Sequence, residues 1–164
     1  MTDITNKRWS IIQDILTREG IARQHLNSFD EFLENGLQAI IDETNIIEIE
    51  NAEYPYKIQL GKIKLKEPRI MELDGSITRI NPAEARLRNV SYVAPFYIEA
   101  SVVEDGKILE TKPIHIGDIP IMVKSTGCLL RNFSEQKLIE QGEDSNDPGG
   151  YFIINGSERV IVGL

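Results

Sequence analysis

The hydrophobic pattern changes period partway along the chain. Through "NKRWSIIQDILTREG" (6–20), Trp9, Ile12 and Leu16 recur at helical spacing, with Ile11 and Ile15 beside them. Asn6 is placed to cap that helix and Gly20 to end it. A second helix is expected over "SFDEFLENGLQAIIDETN" (28–45). There Ser28 and Glu31 have capping-box spacing, and Phe29, Phe32, Leu33, Leu37, Ile40 and Ile41 form one apolar stripe. Beyond it the period drops to two. "YKIQLGKIKL" (56–65) alternates, slips phase after Gly61 and resumes at Ile63, which predicts a strand with a bulge. "RIMEL", "DGS" and "ITRI" predict a short hairpin.

"NPAEARLRN" has Asn81 as cap, Pro82 in the first helical position and Glu84 reaching back, a short helix. "SYVAPFYIEASVVEDGKILETKPIHI" is a long strand, an Asp105-Gly106 turn and a return strand. "IPIMVKS" reads as a further strand and "SEQKLIEQG" as a short helix. "EDSNDPGG" reads as a turn-rich loop, and "YFIINGSERVIV" as a closing hairpin about Asn155-Gly156. Runs of like elements, not alternating βαβ units, define the class. It is α+β, with two N-terminal helices followed by a mostly antiparallel sheet and short interspersed helices. No repeat or linker divides the chain, so residues 1–164 read as one domain.

Charge adds a constraint. The net charge is -8, which argues against a stand-alone nucleic-acid binder. Its distribution is uneven. Residues 51–100 hold 8 basic and 6 acidic groups, net +2, concentrated in "KIKLKEPR" and "EARLRN"; the flanking parts are acidic. On charge alone a solvated strand face explains this. If phosphates are met, that third and isolated arginines must meet them. With one cysteine, Cys128, no intrachain disulfide can form, and no apolar run is long enough to span a membrane. The expected location is the cytoplasm.

Several chemistries lack their residues. Cys128, His25 and His115 are too few and too scattered for zinc. "DSNDPGG" resembles a calcium loop, but Pro148 breaks the ligand alternation and its twelfth position is Asn155. Neither a phosphate-cradling glycine loop nor a nucleophile elbow occurs. His115 and Asp118 in "HIGD" are close enough for an acid–base pair, although such residues more commonly cap a turn. The residues alone describe an α+β domain without a visible active site.

Four segments carry a resemblance: "RQHLNSFDEFL" (23–33), "PAEARLRNVSYVAP" (82–95), "IHIGDIPIMVKSTGCLL" (114–130) and "DPGGYFIINGSERVIV" (147–162). In this order they resemble the N-terminal part of the second-largest subunit of multisubunit DNA-directed RNA polymerases, its archaeal form most closely. The resemblance implies the protrusion, a domain lining the DNA cleft, cut near the point where a second domain, the lobe, is inserted. It implies a subunit of a nucleotidyltransferase with no catalytic residue here. The catalytic magnesium belongs to residues outside this chain, and no cofactor is expected within it.

The implied partners are the other polymerase subunits, DNA and RNA in the assembled enzyme, and transcription factors or inhibitors. A strand edge left open by absent segments is expected to invite a dimer. Phosphate contact is expected first of Arg159, with Glu158 orienting or insulating it, then of Lys124, then of Arg86 and Arg88. For the last two, salt bridging to neighbouring strands is the stronger expectation. Arg23, Gln24 and His25 are expected to tie a turn to the sheet, and Gly149 and Gly150 to serve the backbone. Two competing readings are a free-standing interaction module, which docks a factor or inhibitor without nucleic-acid contact, and a small enzyme using His115 and Asp118.

Overall fold

The computed structural model describes residues 8–14, 20–49 and 56–162. Residues 8–14 are helical, as their spacing predicts, but Trp9, Ile11 and Ile12 are exposed. Asn6, Ile15 and Leu16 lie outside the described residues.

The second helix starts earlier than the capping-box reading places it. Helix α1 (Arg23–Glu31) begins after Ala22, without a side-chain cap, so Ser28 lies inside the helix. Tertiary packing sets this start. Gly150, at φ +84°, brings its loop so close that an added Cβ would sit 2.8 Å from the Ala22 Cβ. Arg23, Gln24 and His25 therefore form the first turn of α1. The helix runs through a π-turn (Phe32–Gly36) into α2 (Leu37–Glu43).

The π-turn explains which apolar residues face inward. Phe29, Leu33, Leu37 and Ile41, four residues apart, are buried or half-buried, whereas Phe32 and Ile40 are exposed. On an ideal α-helix that spacing drifts about 40° per step. One wider turn absorbs part of the drift and keeps the row on one face.

The main sheet is antiparallel throughout, in the order β1 (Ile46–Glu48), β2 (Tyr56–Leu65), β5 (Val93–Glu104), β6 (Lys107–Pro120). Strand β1 follows directly on the helix and was not legible in the period-two pattern; it pairs with β2. The predicted bulge in β2 is present, with Gly61 and Lys62 together opposite Glu99. The Gln38 amide fills it, donating to the Gly61 carbonyl at 3.3 Å and accepting from the Ile63 N–H at 3.1 Å. Strands β5 and β6 form the long hairpin. Its turn places Asp105 and Gly106 at φ 47° and 76°, the left-handed values that Asp-Gly tolerates.

Two small hairpins flank this sheet: β3 (Arg69–Met71) with β4 (Ile77–Arg79), and β7 (Phe152–Ile154) with β8 (Ser157–Arg159). Helix α3 (Pro82–Leu87) starts at the Asn81 cap, whose side chain accepts from the Glu84 N–H at 2.7 Å. The Glu84 carboxylate does not reach back; it pairs with Arg88 at 3.0 Å. Helix α4 (Glu135–Glu140) is capped by Ser134.

"IPIMVKS" is not a separate strand. Ile119 and Pro120 finish β6, and the chain then leaves the ladder. Its amides find scattered partners: Ile121 N–H donates to the Tyr92 carbonyl and Val123 N–H to the Tyr151 carbonyl. Ile121 and Val123 become fully buried, and Lys124 turns the chain at φ 66°. The core lies here, beyond one end of the sheet, where Ile80, Ala85, Tyr92, Ile121, Val123, Leu130, Leu138 and Ile153 pack together.

Gln38→Ala removes both bonds that fill the β2 bulge and leaves the Ile63 N–H without its acceptor. Urea unfolding is expected to show a loss of about 1–2 kcal/mol.

Candidate nucleic-acid interface

The four cations singled out in the sequence sit in different electrostatic settings. Arg159 lies on β8 beyond the Asn155-Gly156 turn, whose residues adopt φ 50° and 75°. It is the register partner of Phe152 and stands at the rim of an apolar groove of about 480 Å³ that Phe29, Phe32, Ile119, Pro120 and Ile154 also line. Arg159 is exposed and, among the described residues, makes no ion pair. Val160, Ile161 and Val162 are exposed, since the ladder ends at Arg159.

Glu158 does not serve Arg159. Adjacent strand residues point to opposite faces, and Glu158 reaches Arg86 Nε at 2.8 Å. Arg86 is the centre of a network. Its Nη1 donates to buried Glu143 at 2.9 Å and its Nη2 to the Tyr151 hydroxyl at 2.7 Å. Tyr151 in turn donates to Asp147. Burial first, then the bond to Asp147, pushes the Tyr151 phenol up. The network fastens α3 to the C-terminal hairpin and to the loop before it. One Glu143 oxygen, Oε1, has no partner in it.

Lys124 is also engaged within the chain, since its ammonium donates to the Asp147 carbonyl. The loop around it needs glycine at position 149, where φ is +72° and an added Cβ would lie 2.5 Å from the Val123 carbonyl oxygen. Arg88 holds Glu72 through two nitrogens, at 2.6 and 2.8 Å, and Glu84 at 3.0 Å. The structure therefore does not bring the four cations into one patch. Arg86 and Arg88 bind α3 to its surroundings, Lys124 closes a loop, and Arg159 faces solvent.

Sequence reading left other groups out. Lys62 and Lys64 alternate along β2, Lys66 follows its last residue, and Arg69 and Arg79 face each other across β3 and β4. The "KIKLKEPR" charge balance was their signal, but nothing local distinguished them from a solvated face. His115 and Asp118 approach to 3.2 Å, with about half of each side chain exposed. Cys128 is buried beneath the Tyr92 hydroxyl, and burial pushes its thiol up. Among the described residues no His, Cys, Asp and Glu group is arranged to hold a metal, and no helix is long and apolar enough to cross a membrane.

Comparison with known proteins adds the context. A family model described as RNA polymerase beta subunit matches residues 20–164. DNA-directed RNA polymerase subunit Rpo2 of Saccharolobus shibatae is 46% identical over 158 residues, covering 96% of this chain and 14% of that protein. Subunit Rpo2N of Halobacterium salinarum is 42% identical over 159 residues, covering 92% of this chain and 30% of its own length. Rpo2N of Methanocaldococcus jannaschii is 42% identical over 156 residues, with 93% and 31% covered. The chain thus spans between about a seventh and a third of these relatives.

Arg86→Ala leaves Glu143 buried without its cation. Urea unfolding is expected to show a loss of about 2 kcal/mol, below the cost of breaking a fully buried pair because part of Arg86 meets water. Arg88→Ala, at an exposed cluster, is expected to cost much less in the same assay.

The Arg88 hydrogen bond holds Glu72 below its ordinary value of 4.5, and Lys64 does the same for Glu99. A carboxylate depressed in the folded state stabilises above its unfolded pKa and loses that contribution as pH falls through the folded one. Thermal stability is expected to decline below about pH 4.5. Arg88→Gln is expected to make that decline shallower.

Proposed function

The chain belongs to the RNA polymerase beta subunit family, and from that premise we propose that it forms the N-terminal part of the protrusion in an archaeal-type second-largest subunit. The observation that carries this reading is the match to Rpo2 along 96% of the chain. In the assembled enzyme the domain walls the DNA cleft, supports nucleic acid and docks other subunits and factors during DNA-templated RNA synthesis. It works in the cytoplasm. Its contribution to nucleotidyl transfer is mechanical and electrostatic, and no residue described here is assigned to the chemical step. Among the described residues no His, Cys, Asp and Glu group is arranged to hold a metal; in this reading the magnesium of the reaction belongs to parts of the polymerase outside this chain.

Within this reading Arg159 makes the phosphate contact. A guanidinium with no carboxylate partner among the described residues offers fixed donors to phosphate oxygens and confers affinity without sequence preference. Lys124, Arg86 and Arg88 rank below it, because each would have to share donors already given to an intrachain acceptor.

The dimer through a free edge has one long candidate edge, the outer side of β6. That edge carries extra residues at Leu109 and Ile116 and a proline at 113, devices that blunt strand pairing. A self-pairing contact through that edge would meet a bulge or the proline within a few residues.

Mixing the tagged chain with the remaining polymerase subunits, including the rest of its own subunit supplied separately, tests the proposal. Stoichiometric recovery of an assembly active in DNA-templated RNA synthesis is the expected result. A folded chain that fails to associate would overturn it. Within the assembly, Arg159→Ala is expected to leave subunit recovery intact and to lower the salt slope of DNA binding by about 1.

A further inference from the structure

The short hairpin of β3 and β4 contains a conflict that its own fold does not resolve. Arg69 and Arg79 are direct register partners. Opposed residues on one face of an antiparallel pair hold their Cβ atoms about 5 Å apart, and like charges in that position repel. Ile70 fixes the arrangement: it packs on the core, so alternation turns its neighbour Arg69, and with it Arg79, to the outer face.

Both arginines, with Lys66, line an open cleft of about 480 Å³, completed by Glu67, Leu65 and Ile77. Compensation within the cleft is incomplete. Glu67 pairs with Arg79 at 2.6 Å, but both side chains are more than half exposed and water screens the pair. Arg69 spends one nitrogen on a neutral acceptor, the Tyr97 hydroxyl, at 3.1 Å. Lys66 makes no ion pair among the described residues. The hairpin's remaining acids are occupied away from the cleft: Glu72 holds Arg88, and Asp74 accepts from Ser76. Three cations and one carboxylate thus face one opening in a chain whose net charge is -8.

We propose that this cleft, formed by Lys66, Arg69 and Arg79, is a second nucleic-acid contact that takes the phosphodiester backbone. The inference rests on the polymerase reading and adds a site separate from Arg159. A phosphate between the two guanidinium forks accepts hydrogen bonds from both and turns their repulsion into shared attraction. The apolar side chains lining the cleft, Leu65 and Ile77, offer no acceptors or donors for base edges, so the contact selects backbone and not sequence.

The test is fluorescence anisotropy of the 164-residue chain with a labelled DNA duplex and, separately, a labelled single strand, across a salt series. The triple variant Lys66→Gln, Arg69→Gln, Arg79→Gln is compared with Lys107→Gln, Lys112→Gln, Lys137→Gln, which removes the same charge elsewhere. Circular dichroism and a thermal melt check that each variant is folded. The cleft variant is expected to lower the salt slope by about 2–3 for the strand form that binds, while the control changes it by less than about 1. Glu67→Gln, which removes the one carboxylate among the described residues lining the cleft, is expected to tighten binding about twofold or more.

Equal effects of the two triples, an unchanged slope in the cleft variant, or no gain from Glu67→Gln would overturn the proposal. So would polyglutamate competing as well as DNA of equal charge, or an absence of DNA binding by the unaltered chain. Subunit assembly is scored independently, so an assembling, transcribing polymerase with an unchanged slope in the cleft variant would sink this site and leave the polymerase reading standing.

Discussion

Tyr92 joins the parts of this fold that no regular ladder connects. It sits one residue before β5 and is fully buried. Its N–H donates to the Ile153 carbonyl on β7, and its carbonyl accepts from Ile121 N–H where the chain leaves β6. Its hydroxyl accepts from Leu129 N–H at 3.1 Å and lies 3.5 Å from the Cys128 sulfur. One residue thereby ties the main sheet, the C-terminal hairpin and the irregular 121–130 segment together. Buried irregular backbone is costly unless every polar group is paired. The tyrosine supplies both an apolar ring for the core and a polar tip for the loop.

The Arg86 network does at the rim what Tyr92 does in the centre. Its acceptors come from three separated stretches of chain, Glu143, Tyr151 and Glu158. An arginine suits this because its planar fork can satisfy several acceptors at fixed angles, which a lysine cannot. The β7–β8 hairpin is three residues a side and would be marginal in isolation. Its position depends on α3 and Tyr92 more than on its own ladder.

Local chemistry was legible where the cause is local. The Asn81 cap, the Asp105-Gly106 and Asn155-Gly156 turns and the bulge at Gly61 all follow from one or two residues that suit one backbone geometry. The misread features have distant causes. Ser28 looks like a cap, but contact between Ala22 and Gly150, 128 positions apart, sets the helix start. "IPIMVK" alternates like a strand, yet its amides bond to Tyr92 and Tyr151. Glu158 was paired with its neighbour in sequence, while its partner lies 72 residues away. The polymerase resemblance was legible through four long segments, and so was the pairing of Arg86 and Arg88 within the chain, but their distant partners Glu143, Glu158 and Glu72 were not.

That distinction between used and spare cations governs how an acidic domain can face nucleic acid. Net charge is a poor guide when the acids are not distributed like the bases. Glu143 and Glu158 neutralise Arg86, and Glu72 and Glu84 neutralise Arg88, so these arginines contribute little to the distant field. Among the described residues Arg159 is left unopposed, and Lys66, Arg69 and Arg79 share their cleft with one carboxylate, Glu67. A domain of net charge -8 therefore carries discrete sites of positive potential. Over a screening length of about 8 Å at physiological salt, such a site acts on a phosphate that touches it and hardly senses acids on the far side. Strongly basic surfaces bind nucleic acid anywhere; a few spare cations on an acidic body hold it only where geometry brings it, which is what the proposed place on a cleft wall would require.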